Sequence, residues 1–262
     1  MTIHFIHRVD KTNTGDIVSN AGMYYLFEKY DKALHDIYSP AFDKIKPDDV
    51  VIFSGGGLLN CLNVWNVNIN RVLDICKNVY GWGVGFNKHK GTRLLTPINF
   101  SKFKHLGIRD YLNSYESNMS YLPCSSCNLP QLQKTYEIKR KAGIVEHHHN
   151  RINLNGLDKI DNGTNIDDFI KFIGESEVII TNTYHCLYFS TLLNKKCILW
   201  ESFSEKFNNL KHGVDWAVQE NIKQNLQKTG TVGVVKKSDY SGYLEECLDI
   251  NNRFYNKILK NI

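Results

Sequence analysis

The stretch 178–200 limits what this chain can fold into more than any other. It reads Val178-Ile179-Ile180-Thr181, then Asn182-Thr183-Tyr184-His185, an apolar run over 186–193, a polar break at Asn194-Lys195-Lys196, and finally Cys197-Ile198-Leu199-Trp200. The first run is β-branched without alternation, as in a strand buried on both faces. The middle run is apolar nearly all round, and the last is a second short apolar strand. A β-α-β unit of a parallel sheet fits that order. A helix cap at Asn182 or Thr183 puts His185 in the first helical turn, at the carboxyl end of a strand, where open α/β sheets bind ligands and free N–H groups attract anions. Two roles fit a histidine there: chemistry on a bound ligand, or a core imidazole satisfied by a neighbouring carbonyl.

At 262 residues the chain is long enough for one large α/β domain or for two domains of about 130 residues each. A formal net charge of +5 suits an anionic small molecule, a nucleotide-linked substrate or a membrane surface, and no dense Lys/Arg block marks a nucleic-acid stripe. The polar first residues do not read as a signal peptide, and no apolar run is long enough to cross a bilayer, so a cytoplasmic protein is expected, with the inner face of the membrane as an alternative site of work. The seven cysteines are odd in number and scattered through apolar segments, the pattern of buried thiols and not of a disulfide framework.

Other glycine-punctuated strand ends recur along the chain. A strand over 2–9 runs into Asn13-Thr14-Gly15-Asp16, where Asp16 is either a turn carboxylate or one held over a substrate; a helix is expected over 21–30 with Asn20 or Ser19 as cap. Asp49-Val50-Val51-Ile52-Phe53 leads into Ser54-Gly55-Gly56-Gly57, whose backbone N–H groups suit a nest for phosphate or carboxylate, without the spacing of a dinucleotide or ATP loop. A helix over 69–78 and a strand over 103–109 follow. Arg109 at that strand's end either forks onto an anion or pairs with Asp110, and a helix is expected over 111–115. Cys124 and Cys127 form a Cys-x-x-Cys with no second pair to complete a zinc site, so no metal is expected. A lysine-rich stretch over 131–141 divides the chain into halves 1–138 and 139–262. The second half opens on a strand ending in Glu146-His147-His148-His149, of which one histidine is expected to face the inter-domain cleft. A helix over 216–227, a strand over 231–235 and a helix over 240–259 complete the reading. The result is an α/β fold of two Rossmann-like domains facing a cleft.

Taken together and in order, four landmarks resemble the polysaccharide pyruvyl transferase family: Asn13-Thr14-Gly15-Asp16 with Asn20, the strand through Gly55-Gly56-Gly57, Gly107-Ile108-Arg109-Asp110, and Val178 through His185. Thr183, Tyr184, His185 and Cys186 stand where the family usually has a serine or arginine, an apolar residue, the histidine and a glycine. The resemblance implies a fold similar to the glycosyltransferase B architecture. It implies an enzyme that moves the enolpyruvyl unit of phosphoenolpyruvate onto a sugar of a surface polysaccharide or its precursor, lipid-linked or nucleotide-linked, with no cofactor. The acceptor would sit on the first half and the donor on the second. The residues it brings forward are His185 and Asp16 as catalytic groups, with Gly15, Asn20, Gly56, Gly57, Arg109, His147, Thr183 and Tyr184 for binding. A nucleotide-sugar glycosyltransferase and a non-catalytic sugar-binding relative are the alternatives.

Overall fold

The computed structural model describes residues 1–89, 91, 94–200, 204–212, 215–216, 219–229 and 239–262. Two parallel sheets organise it. The first contains β1 (Thr2–His7), β2 (Asp31–Asp36), β3 (Val50–Ser54), β4 (Asn78–Val84), β5 (His105–Ile108) and β6 (Met119–Tyr121), in the order β2-β1-β3-β4-β5-β6. The second contains β7 (Arg140–Glu146), β8 (Asp158–Asp161), β9 (Ser176–Thr181), β10 (Lys196–Leu199) and β11 (Asp215–Trp216), in the order β11-β10-β9-β7-β8. Every pairing is parallel. Strands such as Val50–Ser54, buried at every position, explain why the runs read as continuous apolar sequence.

Both sheets share one topological feature: chain order reverses once, between β1 and β3 in the first and between β7 and β9 in the second. Loops leaving neighbouring strands at a reversal part to opposite faces and leave a crevice at the carboxyl edge. The helices are α1 (Thr14–Val18), α2 (Asn63–Ile75), α3 (Ile166–Gly174), α4 (Tyr184–Leu192), α5 (Gln219–Thr229) and α6 (Tyr243–Leu259). Phe254 and Ile258 of α6 pack with Ile3, Phe5, Val50, Ile52 and Trp82 under the first sheet, while Tyr243 and Cys247 join the core around α3 and α4. Asn251 of α6 sits at this junction, accepting from Trp82 Nε1 at 2.7 Å and donating to the Pro123 carbonyl at 3.2 Å. Burying its amide with both partners supplied avoids the cost of an unpaired polar group.

Several expectations need correction. Residues 21–30 form one 3-10 turn, Ala21–Met23, and then irregular chain instead of a helix. Their aromatic residues face inward without helical pitch: Tyr25 lies 4.7 Å from Trp82 and Phe27 5.9 Å from Phe5, so tertiary packing overrides local propensity. Residues 111–115 are not helical either; the Tyr115 hydroxyl accepts from Leu112 N–H and donates to the Asp110 carbonyl, closing a side-chain-mediated turn. The helix expected over 69–78 runs from Asn63 to Ile75, and the one expected from 216 begins at Gln219 because Trp216 belongs to β11. The strand expected over 231–235 lies outside the described residues. No helix among the described residues is long and apolar enough to cross a membrane.

Candidate active site

The two crevices open into one cavity of ≈ 360 Å³. Its walls include Gly15, Asp16, Gly56, Gly57, Arg109, His147, Thr183, Tyr184 and His185, which gathers nine of the ten residues singled out in the sequence. Asn20 is the exception. Its side chain accepts from Gly22 N–H at 2.9 Å and caps the 3-10 turn, away from the cavity wall.

The first-sheet wall is built from loops after β1, β3 and β5. Asn13 caps α1, accepting from Gly15 N–H at 3.2 Å and donating to the Asp16 carboxylate at 3.0 Å. Thr14 ties this helix to the second half through its N–H to the Asn162 carbonyl, at 2.8 Å, and its hydroxyl to the Thr164 carbonyl. Burial, reinforced by the Asp10 charge, pushes the Asp16 carboxyl up to about 7. Gly15 permits the closest approach in the site: a Cβ there would fall on Nδ1 of His185. The glycine loop after β3 uses positive φ at Gly55 (59°) and Gly56 (73°). Of the N–H groups in this loop, that of Gly55 is turned inward, donating to the Trp82 carbonyl at 2.7 Å.

Arg109 lies at the end of β5, buried, with its guanidinium 3.6 Å above the ring of Tyr184. The neighbouring Asp110 turns away, its carboxylate accepting Phe86 N–H at 3.0 Å. The guanidinium is therefore carried by stacking and not by an ion pair with Asp110, which leaves its planar fork for a ligand.

The second-sheet wall comes from loops after β7, β9 and β10. Asn182 links the first two, accepting from His147 N–H at 2.8 Å and donating to the Asn150 carbonyl at 2.7 Å. Thr183 occupies the cap position of α4, but its side chain turns to the Thr181 hydroxyl at 3.2 Å and supplies no cap bond. The first turn of α4 thus presents a positive end without a side-chain cap. Of the histidine triplet, His147 lines the cavity, His148 is held by the Asn162 amide oxygen at 2.9 Å and His149 is exposed. Burial, then the Lys206 charge, lowers His147 to about 4. His185 is lowered to about 3 by burial, then by Arg109 and Lys206, so its imidazole is neutral near pH 7.

Lys206 escaped the sequence reading because no motif surrounds it. It follows β10, and its segment is strapped to the first half by Glu205 N–H to the Lys88 carbonyl at 2.9 Å and by a bridge between His89 and Ser204. Burial and Arg109 lower its ammonium to about 7, with Asp16 acting against them. The signal that would have found it is topological: β10 adjoins β9, so its carboxyl end opens on the same edge. Arg8 and Asp10, directly after β1, were also missed. They form a paired rim, with Arg8 bonded to Asp36 at 2.7 Å and Asp10 at 3.3 Å. Among the described residues no group of three His, Cys, Asp or Glu could hold a metal ion.

The model of one family, polysaccharide pyruvyl transferase, matches residues 13–200. The chain belongs to this family. The match begins at the Asn13 cap and ends after β10, so it takes in the loops carrying Gly15, Asp16, Gly56, Gly57, Arg109, His147 and His185. A search of curated proteins gave no significant match. The fold of this pyruvyl transferase family member is similar to that of a crystal structure described as a functional uncharacterized protein from Klebsiella pneumoniae subsp. pneumoniae. That chain is 14% identical with a TM-score of 0.54, over 80% of this chain and 87% of the other, a likeness of fold alone.

Proposed function

We propose that the protein transfers the pyruvate unit of phosphoenolpyruvate to two hydroxyls of one sugar in a surface polysaccharide or its precursor, forming a cyclic ketal and releasing phosphate. In this reading the two halves, 1–138 and 139–262, act as Rossmann-like domains across a cleft, similar to the glycosyltransferase B architecture, with acceptor on the first and donor on the second. The reaction would run on the cytoplasmic side, where phosphoenolpyruvate is available.

One observation carries the proposal. A stacked arginine, a lysine and the uncapped first turn of a helix border the same small cavity as a carboxyl group poised near neutrality. Phosphoenolpyruvate brings a phosphate and a carboxylate, and these groups supply charge, a planar fork and helix N–H donors for both. One sugar hydroxyl adds to C2 while C3 takes up a proton from solvent, directly or through a protein group; in this reading that hydroxyl's own proton passes to Asp16 as base. A second hydroxyl then displaces phosphate from C2, and its proton leaves with the products. Bound anion would raise His185 from its low value, so the imidazole becomes a better hydrogen-bond and proton donor once the donor substrate is in place.

The test is phosphate release from phosphoenolpyruvate across a panel of lipid-linked and nucleotide-linked sugars. Acceptor-dependent release is expected with one carrier class. Release of nucleoside diphosphate from a nucleotide sugar, without consumption of phosphoenolpyruvate, would establish the glycosyltransferase alternative instead.

A further inference from the structure

Among the described residues the Cys-x-x-Cys is part of no metal-binding group, and its first cysteine touches the central histidine. Cys124 is fully buried just before the 3-10 turn Ser125–Asn128, and its Sγ lies 3.6 Å from Nε2 of His185. Its carbonyl accepts from the Tyr188 hydroxyl at 3.0 Å, which fixes the cysteine against the same helix that carries His185, one turn along. The other groups aimed at the sulfur are donors: the Ser126 hydroxyl at 3.2 Å and the N–H groups of Ser126 and Gly56. None of these N–H groups can accept the thiol's proton. Burial keeps that proton on the sulfur, and with the nearer Ser126 hydroxyl, at 3.2 Å, donating to the sulfur, His185 Nε2 at 3.6 Å is the group placed to accept it.

We propose that Cys124 is a positioning residue whose S–H donates to Nε2 of His185 and so fixes the imidazole as its Nδ1–H tautomer. Nδ1 is the nitrogen packed over Gly15, at the wall shared with Asp16. His185 then carries an N–H and not a lone pair on the side of its ring that meets the loop bearing Gly15 and Asp16, which leaves the role of base to Asp16. The functional consequence rests on the pyruvyl transfer reading, whereas the tautomer does not. Gly15 and Cys124 act as a pair: the glycine makes room for one ring nitrogen and the thiol occupies the other. A thiol at this distance is a weak donor, so its effect is selection between tautomers of similar energy and not strong binding.

Long-range proton–nitrogen correlation spectra of the ¹⁵N-histidine-labelled full chain read the tautomer directly, with His185 assigned by its loss in His185→Gln. The wild type is expected to show a protonated Nδ1 and an unprotonated Nε2 between pH 6 and 8. Cys124→Ser, which keeps a donor, should retain that pattern; Cys124→Ala should lose it, with turnover falling about 10-fold or more against roughly threefold for the serine variant. A protonated Nε2 in the wild type, an imidazolium signal indicating a thiolate pair, or an unchanged tautomer in Cys124→Ala would each overturn the proposal. Should the alanine variant not fold, the wild-type spectrum alone decides. A wild type with the expected tautomer that releases no phosphate from phosphoenolpyruvate removes the transfer reading and leaves the thiol–imidazole assignment standing.

Discussion

The two walls of the cavity are made by the same topological device and carry opposite chemistry. Around the β1–β3 reversal the wall is acidic at its centre, with Asp16 pushed up to about 7 and Asp10 beside it. Around the β7–β9 reversal, and from the neighbouring β10 loop, it is basic or imidazole-bearing, with His147 and His185 lowered by burial and the Lys206 charge, and Lys206 itself lowered by burial and Arg109. Arg109 crosses the division: it springs from the first sheet and stacks on Tyr184 of the second. Opposite shifts on facing walls mean that each side lacks what the other holds. A carboxyl group held close to neutrality is suited to take a proton from a hydroxyl, and crowded cations are suited to an anion that relieves their repulsion. The comparison therefore predicts a division of labour, acid–base work toward the acceptor on one side and anion binding on the other.

The largest effect is expected from His185→Gln, which tests whether the imidazole on the anion-binding wall also passes a proton. Glutamine keeps a donor of similar reach, so thermal melting should be unchanged while turnover falls by at least about 10²-fold. Phosphate release and melting are measured on one preparation; a variant that melts normally and turns over like the parent removes the imidazole from the chemistry. Next is Arg109→Lys, which replaces a planar fork stacked on Tyr184 by a point charge. Calorimetric affinity for phosphoenolpyruvate should weaken by about 10-fold or more, and unchanged affinity would assign Arg109 to structure alone.

Asp16→Asn sharpens the contrast through stability. The folded-state pKa of Asp16 is raised from 3.8 to about 7, so its favourable contribution is complete below pH 3.8 and is lost as pH rises through about 7. The variant should match the wild type near pH 3.5 and exceed it by about 4 kcal/mol at pH 8, read from denaturant unfolding at both pH values. Equal stability at pH 8 would mean that the carboxyl is not destabilised in the fold. The smallest effect is expected from chelation. Exhaustive treatment with a metal chelator should leave melting temperature and turnover unaltered, and a large drop in either would reveal a metal site that the reading does not contain.

Much of this architecture was legible in the sequence where burial is complete. β3 and β9 stood out because both faces are covered and the strands are continuously apolar. β2 was not, since Asp31–Asp36 is an edge strand with mostly exposed or half-exposed side chains, and its polar composition hides the pairing with β1. The 21–30 segment misled for the opposite reason: its aromatic density resembles a helix face but serves to cover a sheet. Within the site, the motif-bearing residues came together because their loops all leave carboxyl edges. Lys206 was invisible because its place depends on a tertiary strap to Lys88. Spacing alone cannot show that the Cys124 thiol lies against His185.

The most direct measurement of the central claim follows the fate of phosphoenolpyruvate labelled with ¹³C at C2 and C3, incubated with the wild-type protein and acceptor sugar in deuterated water. Ketal formation requires C3 to take one proton from solvent, directly or through a protein group, and C2 to exchange phosphate for a second sugar oxygen. Carbon NMR should therefore show the vinyl pair replaced by a ketal carbon bonded to a methyl group carrying one deuterium, with one phosphate released for each ketal formed. A product that keeps the vinyl group, labelled pyruvate appearing free in solution, or labelled phosphoenolpyruvate left intact while the sugar is modified would contradict it.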